Sequence, residues 1–498
     1  MTVDETRASA GPPNAERSAL LENVHPSNWR NPEPPACYDF AVVGAGPAGL
    51  LAARGAATLG RKVALIERNL LGGNCLNVGC VPSKALIRSS RLYARMREAQ
   101  GLGVPGPDGI RTDVAAAMQR IRRLQARLSR ADSATRLREH GVDVYFGAAR
   151  FAGPTQINCA GAVLRFKKAL IATGSRPMTP AIPGLIQAGY WTNEDVFNLE
   201  AVPRRLLVIG GGPVGCELAQ AFCRLGAHVI IAQDEAMFLP GEERDAAQIL
   251  SDSLARDGVE IHLNSQVASV RRSGEHKVVE VVSDDSRNSV EVDEILTGIG
   301  REPNVEHMDL EAARVEYDTT MGIHVNDFLQ TSNARIYAAG DVCLAHKFTH
   351  MADATARIVL HNALLRGRRR LSALTVPWCT YTDPEIAHVG LYVREARERK
   401  IAVKTFTILM HDVDRAVTDG DEEGFLKIHV KDGTDEILGA TVVARFAGEM
   451  INELSLAITA GIGLEELGHV IHAYPTRAGA IKLAADAYFR MRLKDAAR

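Results

Sequence analysis

The sequence predicts an α/β protein built from two Rossmann-like dinucleotide-binding units and a separate C-terminal α+β domain. Three observations carry that expectation. A short apolar strand runs into the turn Gly44-Ala45-Gly46-Pro47-Ala48-Gly49 and an Ala-rich helix, and the same order returns at Gly210-Gly211-Gly212-Pro213-Val214-Gly215. From about Thr405 the pattern changes to strand-rich sequence, with helices from about Gly448. The 498 residues give length for about three domains, and 46% hydrophobic residues fill several cores. A formal net charge of -2 provides no global basic field, so a small-molecule partner is expected, with neither nucleic acid nor membrane.

Residues 1–36 are polar and Pro-rich and lack the apolar stretch of a signal or anchor, so they read as a flexible tail on a cytoplasmic protein. Asp39 to Val43 then forms a strand ahead of Gly44, Gly46 and Gly49. Those glycines permit a tight turn, close backbone approach to a pyrophosphate, and close packing of helix on strand. The next strand, Lys62 to Ile66, ends on Glu67, 23 residues after Gly44, where a carboxylate can accept hydrogen bonds from a ribose diol.

Cys75 and Cys80 follow, five positions apart in a Gly-rich stretch that runs into a helix. The spacing closes a short ring, Pro82 is tolerated in a first helical turn, and the helix N-terminus with Lys84 favours a thiolate at Cys80. A redox-active dithiol is the expectation. Two buried structural thiols are the alternative; half of a zinc site has no second cysteine pair to complete it, so no metal ligands are assigned. Cys37, Cys159, Cys216, Cys223, Cys343 and Cys379 are scattered and read as small core hydrophobes.

Residues 112–140 read as Arg-rich amphipathic helices, with Met118, Ile121, Leu124 and Leu128 on the apolar side and no assigned function. Strands around Val142 to Phe146 and Val163 to Ile171 come next. The latter enters Thr173-Gly174-Ser175-Arg176-Pro177, a sharp exit beside a bound cofactor. In the second unit the strand His228 to Ala232 ends on Gln233, again 23 residues after the first glycine, Gly210. Two such units imply two dinucleotides, one resident and one exchanging, and FAD with NADH or NADPH is the natural pair. At Gln233 an amide favours neither nicotinamide strongly, while Asp234 and Glu235 oppose a 2′-phosphate and tilt the reading toward NADH. Gly300 lies in a turn after a further strand, and Gly340-Asp341 can set a carboxylate against the ribitol chain of FAD.

From about Tyr38 to Arg492 these motifs together resemble the FAD-dependent pyridine nucleotide-disulfide oxidoreductases, the family of glutathione reductase, dihydrolipoamide dehydrogenase and mercuric reductase. The resemblance implies FAD contacts at Gly44, Gly46, Gly49, Glu67, Lys84, Thr173, Gly174 and Asp341. It implies a nicotinamide site at Gly210, Gly212, Gly215, Glu217 and Gly300, to which the strand-end position adds Gln233, with Glu217 paired to Lys84 beside the flavin. Cys75 would be the exchanging thiol and Cys80 the thiolate against the flavin. The implied layout is an FAD-binding domain over 37–185 and 300–371, an NAD(P)-binding domain over 186–299, a dimerisation domain over 372–491, and a tail over 492–498. In such a homodimer the last domain completes the partner's site.

That last segment departs from the disulfide reductases of the glutathione and lipoamide type, which carry His-Pro-Thr with a glutamate five residues after the histidine. Here Tyr474 stands at the base position and Gly479 at the carboxylate position, with His472 two residues early and expected to point elsewhere. Tyr474 and the run Ile481 to Ala485 look more like mercuric reductase, although the last cysteine is Cys379 and no C-terminal cysteine pair follows. The resemblance therefore implies a mercuric reductase-like enzyme with Cys75, Cys80 and Tyr474 at its centre, passing electrons to Hg(II) or another soft or thiol acceptor. Dihydrolipoamide dehydrogenase, another disulfide reductase, and a low-turnover redox or metal-thiolate sensor are the alternatives.

Overall fold

A computed structural model describes residues 15–105, 109–283 and 286–497. Helix α1 (Ala15–Val24) precedes a parallel sheet in which β1 (Tyr38–Val43) lies between β2 (Val63–Glu67) and β4 (Ala162–Ile171). Strand β3 (Val142–Phe146) forms the edge beyond β2, and Ile336–Ala338 pairs with β4 on the other side. Phe40, Ala41 and Val42 are fully buried, as expected for a parallel strand covered on both faces. Helix α2 (Pro47–Thr58) follows the first glycine turn, α3 (Gly73–Asn77) and α4 (Cys80–Glu98) carry the two cysteines, and α5 (Val114–Ser129) packs on α4.

The second unit repeats the first at the level of backbone geometry. Its parallel strands are ordered Glu260–His262, His228–Ala232, Arg205–Ile209, Glu294–Thr297, and α6 (Pro213–Arg224) follows the glycine turn. Gly44 and Gly210 take φ of +97° and +101°, a left-handed conformation that an L side chain resists. A Cβ on Gly49 would lie 1.8 Å from the Gly44 carbonyl oxygen, and one on Gly215 would lie 2.0 Å from that of Gly210. The third glycine of each turn is thus what lets helix close on strand.

The third unit is an antiparallel sheet ordered Pro377–Thr380, Glu385–Gly390, Ile437–Ala444, Phe425–Lys431, Val403–Leu409. Helices α8 (Ala447–Ala460) and α9 (Gly479–Ala496) supply Leu454, Ile481 and Tyr488 to its core, and α7 (Thr349–Leu364) closes the first unit against α2. Residues of α6 fasten the second unit to the third: Gln220 bonds both the amide and the carbonyl of Asp383, and Arg224 pairs with its carboxylate at 2.8 Å.

Three expectations need correction. From Ala15 onward the stretch expected as a flexible tail is docked, while residues 1–14 lie outside the described residues. Trp29 Nε1 donates to the Val144 carbonyl, and the Asn31 amide bonds both the carbonyl and the N–H of Phe146 at 2.9 and 2.8 Å. The reason is the exposed edge of β3, whose backbone groups need partners that a polar, Pro-rich segment supplies without becoming a strand. Residues 492–496, expected as a tail, continue α9. On α5, Leu128 is 47% exposed while Gln125 is buried in its place.

Candidate active site

The two cysteines sit on different helices. Cys75 lies within the single turn of α3, and Cys80 is the first residue of α4, after a turn at Val78-Gly79. Glycine is required around them: Gly73 has φ +57°, and a Cβ there would fall 2.7 Å from Gly46 Cα. The dithiol segment therefore rests backbone against backbone on the first glycine turn.

Amide side chains hold this segment in place. Asn74 Nδ2 donates to the Ser175 carbonyl at 2.8 Å, and Asn77 Nδ2 donates to those of Leu71 and Gly73. Gln125 Nε2 donates to the Leu76 and Asn77 carbonyls, and Asn193 Nδ2 to that of Val78. None of these residues was singled out from the sequence. Gln125, a polar residue on the core side of an otherwise apolar stripe, was the one visible signal.

Both thiols are free, Cys80 exposed and Cys75 half-buried. The Cys75 thiol donates to Cys80 and brings the Cys80 pKa down to about 6; burial opposes this, while the Thr349 hydroxyl and the positive charge of Lys84 assist. Thr349 Oγ1 lies 3.3 Å from the sulfur. The same shared proton, together with burial, pushes Cys75 far up. The pair is thus split into a thiolate and a thiol.

Lys84 Nζ reaches Glu217 Oε2 at 2.7 Å. Burial pulls the Lys84 pKa down, but the Glu217 carboxylate outweighs it and holds the ammonium above its usual range. Glu217 Oε1 accepts from the Tyr381 amide at 2.9 Å, and the Tyr381 ring faces Lys84 Nζ at 4.5 Å. One carboxylate on α6 thereby touches all three units.

Glu67 Oε2 accepts from Ala45 N at 2.7 Å and Oε1 from Asn69 N, so the carboxylate braces its own glycine turn; Gln233 Oε1 does the same for Gly211 N at 2.6 Å. Thr173 donates its hydroxyl to the Asn304 carbonyl, and Gly174 and Gly300 take φ of +70° and +121°. Asp341 accepts from Ser175 Oγ at 2.6 Å, and Ser175 Oγ in turn accepts from Arg301 Nε.

The residues present fit two dinucleotides. Cβ atoms built on Gly46 and Gly212 meet nothing nearer than 3.9 and 3.6 Å, and α2 and α6 begin without a side-chain cap, so their first amides remain as donors for a pyrophosphate.

Tyr474 stands apart. Its ring is 81% exposed, and its hydroxyl donates to Asp414 at 2.8 Å and to neither cysteine of its own chain. His472 does point elsewhere, with Nε2 against Glu453 Oε1 at 2.8 Å. Among the described residues no three His, Cys, Asp or Glu side chains gather as a metal site, and no helix is long and apolar enough to cross a membrane.

The chain is 34% identical to a mercuric reductase of Lysinibacillus sphaericus over 97% of its own length and 87% of the relative's. It is equally identical to a dihydrolipoyl dehydrogenase of Thermus scotoductus, over 90% and 97%. Among solved structures it matches LpdA of Mycobacterium tuberculosis with TM-score 0.82 at 29% identity, over 90% of this chain and 99% of that one. It also matches the HOCl-induced flavoprotein disulfide reductase RclA of Escherichia coli in its Cu(II) complex, with TM-score 0.80 at 28% identity over 89% and 98%. The pyridine nucleotide-disulphide oxidoreductase family matches over residues 38–357 and its dimerisation domain over 376–485, so the chain belongs to that family of FAD-dependent oxidoreductases.

Proposed function

We propose that the protein is an NAD(P)H-dependent reductase that delivers electrons through Cys75 and Cys80 to a soft metal ion, Hg(II) foremost, with thiol-bound metal as the delivered form. The observation that carries this reading is the thiolate at Cys80 beside the Cys75 thiol, in a chain whose C-terminal segment offers Tyr474 where a histidine base would stand. FAD, when bound, relays two electrons from the nicotinamide to the disulfide. The chain's own residues do the rest.

Gly44, Gly46 and Gly49 cradle the FAD pyrophosphate while Glu67 braces their turn, and Lys84, Thr173, Gly174 and Asp341 line its remaining length. Gly210, Gly212, Gly215, Glu217, Gln233 and Gly300 form the nicotinamide site. Asp234 and Glu235, both exposed after Gln233, favour NADH over NADPH by repelling a 2′-phosphate. Cys80 holds the thiolate and Cys75 exchanges with the acceptor. A soft ion needs two sulfur ligands and no proton from a base, whereas opening an external disulfide leaves a thiolate that must be protonated. The relatives named mercuric reductase and the Cu(II) complex of RclA support a metal acceptor.

A homodimer in a reducing cytoplasm completes the proposal. The last unit exposes Ile471, Tyr474, Phe489 and Leu493, an apolar face suited to a second copy, and Tyr474 would shape that copy's acceptor pocket. Steady-state NADH and NADPH oxidation with Hg(II) plus excess thiol, Cu(II), lipoamide and glutathione disulfide tests the reading. Turnover on lipoamide exceeding that on either metal would overturn it.

A further inference from the structure

Arg301 opens the short strand Arg301–Pro303, which pairs antiparallel with Ser175–Pro177 and so brings the guanidinium up beside the dithiol segment. The side chain is half-buried and its three nitrogens spread as a fork. Nε donates to Ser175 Oγ and Nη2 to the Ser175 carbonyl, both at 2.8 Å, and Nη1 donates to Asn193 Oδ1 at 3.3 Å. Burial pulls the Arg301 pKa below its usual range, against the negative charges of Asp341, Glu194 and Cys80. A planar guanidinium fixes the relative positions of three acceptors at once, which the single point charge of a lysine does not do.

The acceptors of this fork are the same groups that hold the dithiol segment. The Ser175 carbonyl also accepts from Asn74 Nδ2, one residue before Cys75, and Asn193 Nδ2 donates to the Val78 carbonyl, two residues before Cys80. The Asn193 amide has one orientation open to it, because its oxygen faces a group that only donates and its nitrogen a group that only accepts. We propose that Arg301 is a positioning residue of the dithiol: through Ser175 and Asn193 its fork fixes the Cys75 side and the Cys80 side of the ring in one frame, and so sets how readily the two sulfurs join. It acts through the two asparagine amides. Freedom already removed from both flanks need not be lost when the disulfide closes, so the intact fork favours closure. The proposal rests on the reading of Cys75 and Cys80 as a redox dithiol.

The test uses the FAD-loaded full chain, equilibrated at fixed pH in mixtures of reduced and oxidised dithiothreitol. Cys75 and Cys80 bond as two electrons, the Cys75 proton and one solvent proton pass to oxidised dithiothreitol. Alkylation and mass spectrometry then count the Cys75–Cys80 disulfide, and melting curves record global stability separately. Arg301→Lys keeps the charge and loses the fork, and we expect it to lower the disulfide equilibrium constant about fivefold. Asn193→Ala should lower it similarly, and the double variant should fall less than about twofold below the lower single one, because both act along one chain of bonds. Arg176→Lys, on the paired strand and bonded to Glu302 and Glu306 instead, should stay within about twofold of the unaltered protein. An Arg301→Lys constant within about twofold of the unaltered one, with or without a lower melting temperature, would overturn the proposal, as would full additivity with Asn193→Ala. If Arg301→Lys fails to fold, Asn193→Ala decides by the same twofold limit. No Cys75–Cys80 disulfide in the unaltered protein under oxidising conditions would overturn the dithiol reading and this proposal together; a normal disulfide that the variants leave unmoved overturns this proposal alone.

Discussion

Replacing Cys75 by alanine removes the hydrogen bond that contributes most to the low pKa of Cys80. With that pKa at about 6, about 90% of Cys80 is thiolate at pH 7, against about 3% for an ordinary thiol. A hydrogen bond to a charged group is worth about 1.5–3 kcal/mol, and about 1.36 kcal/mol corresponds to one pH unit. Cys75→Ala should therefore move the Cys80 midpoint up by about 1–2 units, to about 7–8, and cut the thiolate at pH 7 to about 10–50%. Thr349→Val should move it the same way by less, since the Thr349 hydrogen bond, at 3.3 Å, lowers the Cys80 pKa less than the one from Cys75 does. The assay is the long-wavelength absorbance that a thiolate gives beside the flavin, followed against pH in the FAD-loaded protein. Cys80→Ser, which should lack the band, serves as blank. The sign is fixed: the thiolate is present above the midpoint and lost as pH falls through it, so acceptor reduction in the unaltered enzyme should fall below about pH 6 and level off above. A Cys75→Ala midpoint at or below 6 would refute the assignment of the shared proton.

Gly73→Ala would force a Cβ to 2.7 Å from Gly46 Cα, so it should purify with substoichiometric flavin, read as the FAD-to-protein absorbance ratio; full loading would contradict the close approach. Asn31→Ala uncovers two backbone groups on the edge strand and should cost about 1–3 kcal/mol, measured by urea denaturation, with a change under about 0.5 kcal/mol counting against the docked N-terminal segment. Glu217→Gln removes the charge partner of Lys84 and should slow flavin reduction by NADH about tenfold or more in stopped-flow, with thiolate formation at Cys80 largely kept. Lipoamide should turn over about 100-fold or more slowly than it would with a histidine base, and Tyr474→His with Gly479→Glu should recover part of the loss; hundreds of turnovers per second in the unaltered enzyme would sink that reading.

The two nucleotide units were legible because strand, glycine turn, helix and strand are adjacent in sequence, and Gly44 and Gly210 each mark a turn with one permitted geometry. The redox pair was legible for the same reason. What escaped depends on residues far apart in the chain. Thr349 stands 269 positions from Cys80, and nothing local to either announces their contact. Composition read residues 15–36 as unstructured, yet Trp29 and Asn31 act on a strand edge 115 residues away. Glu67 and Gln233 were found by their spacing, but their work within their own turns, on Ala45 N and Gly211 N, needed coordinates. The pairing of His472 with Glu453 was invisible because a histidine two residues out of place gives no hint of its partner.

The fastening of α6 has a mechanical consequence. Glu217 grips Lys84 and the Tyr381 amide, and Gln220 and Arg224 grip Asp383, so the helix that follows the second glycine turn is clamped at successive points to both other units. An enzyme whose halves swing together over a substrate spends part of each binding event on closing the hinge. Here the surfaces that would have to part are stapled by the Lys84–Glu217 and Arg224–Asp383 ion pairs and by hydrogen bonds of Glu217 and Gln220 with the backbone of the third unit. Opening that interface would break all of these contacts together, which favours nicotinamide entry and exit by side-chain and loop adjustment over a hinge motion of the second unit.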